Sequence, residues 1–259
     1  MKRDDVALSK KRWQSIYKKT SLDTKQDYHT DPTIRSYKRF LDRYKKYYNE
    51  GTFLDLGCGI AWTTAVLAKE GINTVGIDIS SEAIQKSKAI FKKDGLKGRF
   101  IQADLLALPL KNASVDFIYS CMSIEYVRDT QKAVDEAFRV LKPNGVMVAI
   151  VPTVSLTTLT YHQLRGDIPQ IPIIKQLMEW LHLKVLKGKY MQYGYEKSFT
   201  PSHLRSLFLH SGFHIKKIEY FDMYYPVTFV PLIIRPFAQK LLKYRLFWPL
   251  MYIQAHRPA

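Results

Sequence analysis

The chain has 259 residues, 40 Lys and Arg against 23 Asp and Glu, a net charge of +17, and two cysteines. That length suits one elaborated domain with a substantial core. Cys58 and Cys121 form no disulfide pattern, no His/Cys cluster has zinc-ligand spacing, and the charged start MKRDDVALSK lacks an apolar signal core. These features argue against a secreted, disulfide-stapled or zinc-bound protein and for a reducing, cytoplasmic setting.

The charge is uneven along the chain. Residues 1–50 carry an excess of +7, residues 51–150 of +1 and residues 151–259 of +9. A nearly neutral centre with basic flanks can steer phosphates, anionic lipid headgroups or an acidic small molecule, although a solvated surface accounts for any single lysine.

In chain order, Asp31-Pro32 opens a helix whose apolar positions Ile34, Tyr37, Phe40, Leu41 and Tyr44 recur at helical spacing, and Asn49-Glu50-Gly51 ends it. Strand one is expected over 52–57, a helix over 62–70, strand two over 73–78, and a helix over 82–93 closed by Asp94-Gly95. A short third strand covers 100–102 and a fourth 115–120. A helix over 130–141 ends at Lys142-Pro143-Asn144-Gly145, and strand five covers 146–151. Thr200-Pro201 starts a further helix that Ser211-Gly212 ends, before a strand at 214–220; a seventh strand is expected at 251–254 or slightly beyond. Apolar strands alternating with helices predict an α/β fold with a mostly parallel sheet covered on both faces, and ligands at the carboxyl ends of its strands.

The densest chemical signal is Leu54-Asp55-Leu56-Gly57-Cys58-Gly59-Ile60-Ala61, followed by Val75-Gly76-Ile77-Asp78. Glycines after a first strand let the backbone approach a ligand, and an acid ending the second strand can bind a ribose. A dinucleotide fits poorly. Trp62 stands where a third small residue should pack, and Asp55 would repel a pyrophosphate. Asp55 would instead attract an ammonium group, which S-adenosylmethionine carries together with a ribose diol and no phosphate.

The run Asp55-Leu56-Gly57-Cys58-Gly59 resembles the D/E-x-G-x-G motif of class I S-adenosylmethionine-dependent methyltransferases. The resemblance extends in order through Val75-Gly76-Ile77-Asp78, Gln102-Ala103-Asp104-Leu105, Phe117-Ile118-Tyr119-Ser120 and Leu141-Lys142-Pro143-Asn144-Gly145, covering about residues 50–151. It implies a Rossmann-like, doubly wound sheet of seven strands, with helical insertions after strand five and between strands six and seven. It also implies cofactor roles. Asp55 would hold the methionine ammonium, Gly57 and Gly59 would admit the methionyl part, and Asp78 would accept both ribose hydroxyls. Ile79 would lie on the adenine, Asp104 and the Leu105 backbone would meet its amino edge, and Ser120, Cys121 and Met122 would line the opening towards the methyl group. Asp104 could instead cap its own loop, and Gly57 and Gly59 could serve the turn alone.

Domain organisation follows as one methyltransferase domain: an N-terminal helical cap (1–50), a cofactor core (51–151), a substrate-lid insertion (152–199) and a C-terminal part of the sheet (200–259) with an insertion at 223–248. Methyl transfer needs mainly an aligned nucleophile, and an oxygen acceptor often adds a base. Where many relatives have E-H-V, this chain reads Glu125-Tyr126-Val127, which departs from a histidine base. The base candidates are therefore Tyr126 and, in the first insertion, His162 and His182, although a lone histidine among apolar residues more often packs or is solvated. Trp13 and Tyr17, four residues apart, could close an N-terminal helix over the cofactor or simply pack.

No N/D-P-P-Y/F segment and no Pro-Cys nucleophile follow strand four, which argues against two classes of nucleic-acid methylation. The acceptor is expected to be a small or lipophilic metabolite methylated on oxygen or carbon. An RNA methyltransferase and a non-catalytic adapter are the alternatives. Ile174, Leu177, Met178, Leu181 and Val185 form an apolar stripe within 171–186. Residues 224–253 mix Phe229, Phe237, Phe247 and Trp248 with Arg235, Lys240, Lys243 and Arg245. Charges and Pro226, Pro231 and Pro236 break any spanning segment, leaving either an ordinary packed lid or peripheral contact with a membrane surface.

Overall fold

The computed structural model describes residues 4–20, 28, 30–155, 197–221, 233, 235–241 and 244–259. The expectations placed on His162, His182 and most of the 152–199 insertion lie outside these residues.

Its elements are α1 (Asp4–Lys19), α2 (Pro32–Asp42), β1 (Thr52–Leu56), α3 (Trp62–Lys69), β2 (Asn73–Asp78), α4 (Ser81–Lys93), β3 (Arg99–Gln102), β4 (Val115–Cys121), α5 (Thr130–Val140), β5 (Leu141–Pro152), α6 (Pro201–His210), β6 (His214–Tyr220), α7 (Arg235–Leu241) and β7 (Leu250–His256). The strands form one sheet in the order β3-β2-β1-β4-β5-β7-β6. β3, β2, β1, β4 and β5 pair in parallel, and β7 inserts antiparallel between β5 and β6. Strand order reverses between β1 and β4, so the crevice at their carboxyl ends is where this topology places a ligand.

Both faces of the sheet are covered. On one, α3 packs between α2 and α4. An aromatic layer of Phe40, Tyr44, Tyr48, Phe53, Phe117, Tyr119 and Tyr252 lies between α2 and the strands. On the other, α5 and α6 bury Leu54, Leu56, Ile118, Met147 and Ala149 together with Phe208 and Phe213. Full coverage explains why the central strands read as continuous apolar runs.

Caps written in the sequence set the helix starts. The Asp31 carboxylate accepts from the Thr33 and Ile34 amides ahead of Pro32, and Thr200 accepts from His203. α2 ends at Asp42, earlier than its apolar periodicity suggests, and a 3₁₀ turn over Lys45–Tyr47 carries the aromatic layer onward to Tyr48. The segment Lys142-Pro143-Asn144-Gly145 also differs from expectation. It is no loop between helix and strand, because β5 begins at Leu141 opposite Val115, and the register shifts before Phe117 meets Val146. Asn144 takes a left-handed conformation there, its amide donates to the Arg257 carbonyl, and the Arg257 amide donates to the Gly145 carbonyl. The end of the chain thus pairs along the bulge.

A polar clamp fixes the loop that follows β3. Arg139 on α5 donates to the Leu108 and Leu110 carbonyls and to Asn112 Oδ1, while pairing with Glu136 at 2.7 Å. Glu136 accepts from the Leu108 amide and is held below the usual carboxylate range by Arg139. Replacing Arg139 leaves several of these groups without partners. We expect Arg139→Ala to cost about 2 kcal/mol in urea denaturation, whereas an exposed lysine such as Lys132 should cost less than about 0.5 kcal/mol when truncated.

Candidate cofactor and active site

Asp55 is the penultimate residue of β1 and is 5% exposed. The Thr64 hydroxyl, from α3, donates to its Oδ2 at 2.5 Å. Burial pushes the Asp55 carboxyl up to about 7; the threonine opposes this, and the negative charge of Asp78 adds to it. Asp78 ends β2 with both oxygens engaged, Oδ2 by the Gly59 amide at 3.0 Å and Oδ1 by the Ser80 amide at 2.9 Å. Burial raises its pKa too, and the amides of Ser80, Gly59 and Ile79 act against that.

Between these acids the glycine turn is tied to β2. The Gly57 and Cys58 amides both donate to the Ile77 carbonyl, and Ser87 on α4 donates to the Gly59 carbonyl. Gly57 and Gly59 have φ of +73° and +53°. A Cβ on Gly57 would lie 2.2 Å from Ser123 Oγ, and one on Gly59 would lie 2.7 Å from Tyr17 Oη, so a side chain at either point would strain the backbone and displace its neighbour.

The structure brings Asp55, Gly57, Gly59 and Asp78 together at the carboxyl ends of β1 and β2, with Ile79 half-buried beside them. Asp104 caps its loop, its Oδ1 accepting from the Leu106 amide at 3.0 Å, and Leu105 is buried. Ser120 is fully buried opposite Leu56 and Ala149, so its side chain belongs to the core layer beneath α5. Cys121 and Met122 stay half-buried at the end of β4, and Met122 has a positive φ. Burial raises the Cys121 thiol to about 12 and raises Cys58 as well, which leaves neither as a thiolate. Tyr126 is half-buried, with its ring edge-on to Trp13 at 5.0 Å, while Glu125 is fully buried.

Sequence reasoning missed Thr64, Ser87 and Ser123. Each is a small hydroxyl residue on an otherwise packed segment, and its role appears only when the elements meet. Among the described residues no group of His, Cys, Asp and Glu could hold a metal ion.

Two buried carboxylates beside bare glycine backbone suit a ligand that brings an ammonium group and a diol. They disfavour one that brings phosphates. A seven-stranded sheet with β7 reversed and such a site at its switch point is the arrangement of the class I S-adenosylmethionine-dependent methyltransferases, which this chain resembles in fold and motifs. Residues 54–149 match the family model described as a methyltransferase domain. The chain is 33% identical over 123 residues to norajmaline N-methyltransferase of Rauvolfia serpentina, covering 46% of this chain and 41% of that protein. It is 26% identical over 183 residues to a ubiquinone biosynthesis O-methyltransferase of Rickettsia prowazekii, covering 69% and 66%. It therefore spans about two fifths of the first relative and two thirds of the second. A methyltransferase structure from Mesorhizobium loti shares the fold, with a TM-score of 0.57 at 21% identity over 80% of this chain and 91% of that one.

The raised Asp55 pKa has a consequence for stability. From an ordinary 3.8 it rises to about 7 on folding, so the folded state holds this proton more tightly than the unfolded chain. The stabilisation is complete below about pH 4 and is lost as pH rises through about 7. We therefore expect Asp55→Asn to raise the unfolding temperature of the ligand-free protein at pH 8 by roughly 3 °C. The same change should weaken S-adenosylhomocysteine binding by about tenfold to a hundredfold through loss of a charge-assisted contact. Calorimetry on both proteins checks the two effects together.

Proposed function

We propose that the protein transfers the methyl group of S-adenosylmethionine to oxygen or carbon of a small, lipophilic acceptor. The observation that carries the cofactor half is the Asp55 and Asp78 pair around the glycine turn. In this reading Asp55 binds the ammonium group and Asp78 binds the ribose diol. Ile79 covers the adenine, Asp104 and the Leu105 backbone meet its edge, and Ser120 contributes only main chain. When bound, the sulfonium supplies an electrophilic methyl group. The protein's task is to hold the acceptor in line and exclude water. Of the base candidates, Tyr126 follows β4 at the carboxyl edge of the sheet, and in this reading its phenol orients an acceptor hydroxyl; His162 and His182 lie outside the described residues.

The acceptor side is supported by where the first insertion starts and ends. The Val154 amide donates to the Phe199 carbonyl, the Phe199 amide to the Pro152 carbonyl, and the Lys197 amide to the Glu125 carbonyl. The described residues on either side of 156–196 thus lie beside the loop after β4, at the carboxyl edge of the sheet, which is where a lid over the acceptor would be anchored. The lipophilic assignment also draws on the likeness to a ubiquinone biosynthesis enzyme. An amine acceptor is the second reading, favoured by the likeness to an N-methyltransferase.

We further propose that the acceptor is met at a bilayer surface. Ile233, Phe237, Tyr244 and Leu246 are 90%, 65%, 65% and 59% exposed, and Lys240 and Arg245 are exposed on the same stretch. Large apolar side chains with interspersed cations fit a shallow contact with anionic lipid. Among the described residues no helix is long and apolar enough to cross a membrane. Trp248, an aromatic expected on this face, is instead buried against Tyr220, because β7 begins two residues later and pairs with β5.

Two experiments test this reading. Incubation with methyl-labelled S-adenosylmethionine and hydroquinones with or without an isoprenoid tail should place label on oxygen or ring carbon of the tailed compound. Label confined to amines or RNA would contradict it. In sedimentation with phosphatidylglycerol vesicles the protein should pellet, and the double variant Phe237→Asp, Leu246→Asp should stay in the supernatant; equal pelleting of both would remove the membrane contact.

A further inference from the structure

We infer that helix α1 is the front wall of the cofactor site, and that the Tyr17 hydroxyl donates a hydrogen bond to the carboxylate end of the bound cofactor. This rests on the cofactor reading above and adds a residue on an element outside the motif-bearing core.

The docking of α1 is specific. Gln14 donates to Ser81 Oγ, at the first turn of α4, at 3.1 Å. Lys86, further along α4, donates to the Tyr17 and Thr20 carbonyls at the end of α1, so its ammonium group sits on the negative pole of that helix. Trp13 stacks on Tyr17 with ring centroids 5.9 Å apart and meets Tyr126 edge-on, which links α1 to the loop after β4. Between those two anchors α1 crosses the glycine turn, with Tyr17 Oη above Gly59.

The cofactor also brings an anion. Asp55 and Asp78 suit its ammonium group and its diol, but its carboxylate needs donors, and both side chains are acids. Several main-chain amides of the turn are already engaged. The amides of Gly57 and Cys58 donate to Ile77, that of Gly59 to Asp78 and that of Ala61 to the Cys58 carbonyl. Tyr17 brings a phenol to this point on a docked helix, next to the segment that receives the methionyl end. The same placement makes α1 an obstacle to exchange, so the cofactor enters and leaves only when Trp13 and Tyr17 lift from Tyr126 and Gly59.

The test compares S-adenosylhomocysteine with 5′-methylthioadenosine, which shares the nucleoside but lacks the amino-acid end. Tyr17→Phe keeps the ring and its stacking on Trp13. By calorimetry it should weaken S-adenosylhomocysteine about tenfold, the size of one charge-assisted hydrogen bond, and leave methylthioadenosine within about twofold. In stopped-flow displacement, Trp13→Ala should speed release of S-adenosylhomocysteine. Equal weakening of both ligands by Tyr17→Phe, or no change in either, would overturn the hydroxyl's role, and an unaltered release rate in Trp13→Ala would overturn the wall. Failure of the wild-type protein to bind either compound would instead remove the cofactor reading on which this inference stands.

Discussion

The structure depends on a carboxylate placed where carboxylates are costly. Asp55 is buried near the end of a central strand, with a second acid, Asp78, close enough to raise its pKa and the Thr64 hydroxyl donating a hydrogen bond to it. A buried acid of this kind is stable as a neutral group or beside a cation. A ligand that delivers an ammonium group turns the cost into affinity. In the proposed reading the same residue weakens the empty protein at neutral pH and selects its ligand.

The glycine turn converts that local chemistry into a site. It is tied to β2 through Ile77, to Asp78 through the Gly59 amide and to α4 through Ser87. Asp78 holds the turn in shape through the Gly59 amide, and in the proposed reading the remaining lone pairs of its carboxylate take the ribose diol. Tyr17 and Ser123 press on the turn at the two places where a side chain would otherwise stand. The parallel sheet is what makes this possible, because it brings the ends of β1 and β2 side by side with paired residues in register from Thr52 and Asn73 onward.

Much of this was legible in the sequence because it is local. Asp55, Gly57, Gly59 and Asp78 stand at fixed offsets from apolar runs, and runs of that length fix strand ends. The caps at Asp31 and Thr200 declare themselves through the proline that follows. What was not legible depends on contacts between distant segments. Thr64 is nine residues beyond Asp55, and its hydroxyl matters only because α3 returns over β1. Trp248 reads as an interfacial aromatic until β7 is seen to pair with β5, which turns its ring inward. The bulge at Lys142-Pro143-Asn144-Gly145 reads as a helix-ending turn, because its strand pairing comes from the far end of the chain.

With its carboxyl at about 7, Asp55 carries a proton in the empty site below neutral pH and loses it when a ligand cation binds beside it. Calorimetric titration with S-adenosylhomocysteine, repeated in two buffers of different ionisation enthalpy, measures the protons released on binding. Release of close to one proton at pH 6 and close to none at pH 8, abolished in Asp55→Asn, is the result predicted for a carboxyl with its pKa at about 7. Binding without proton release at pH 6 would show that the ammonium group is held elsewhere and would contradict the central claim.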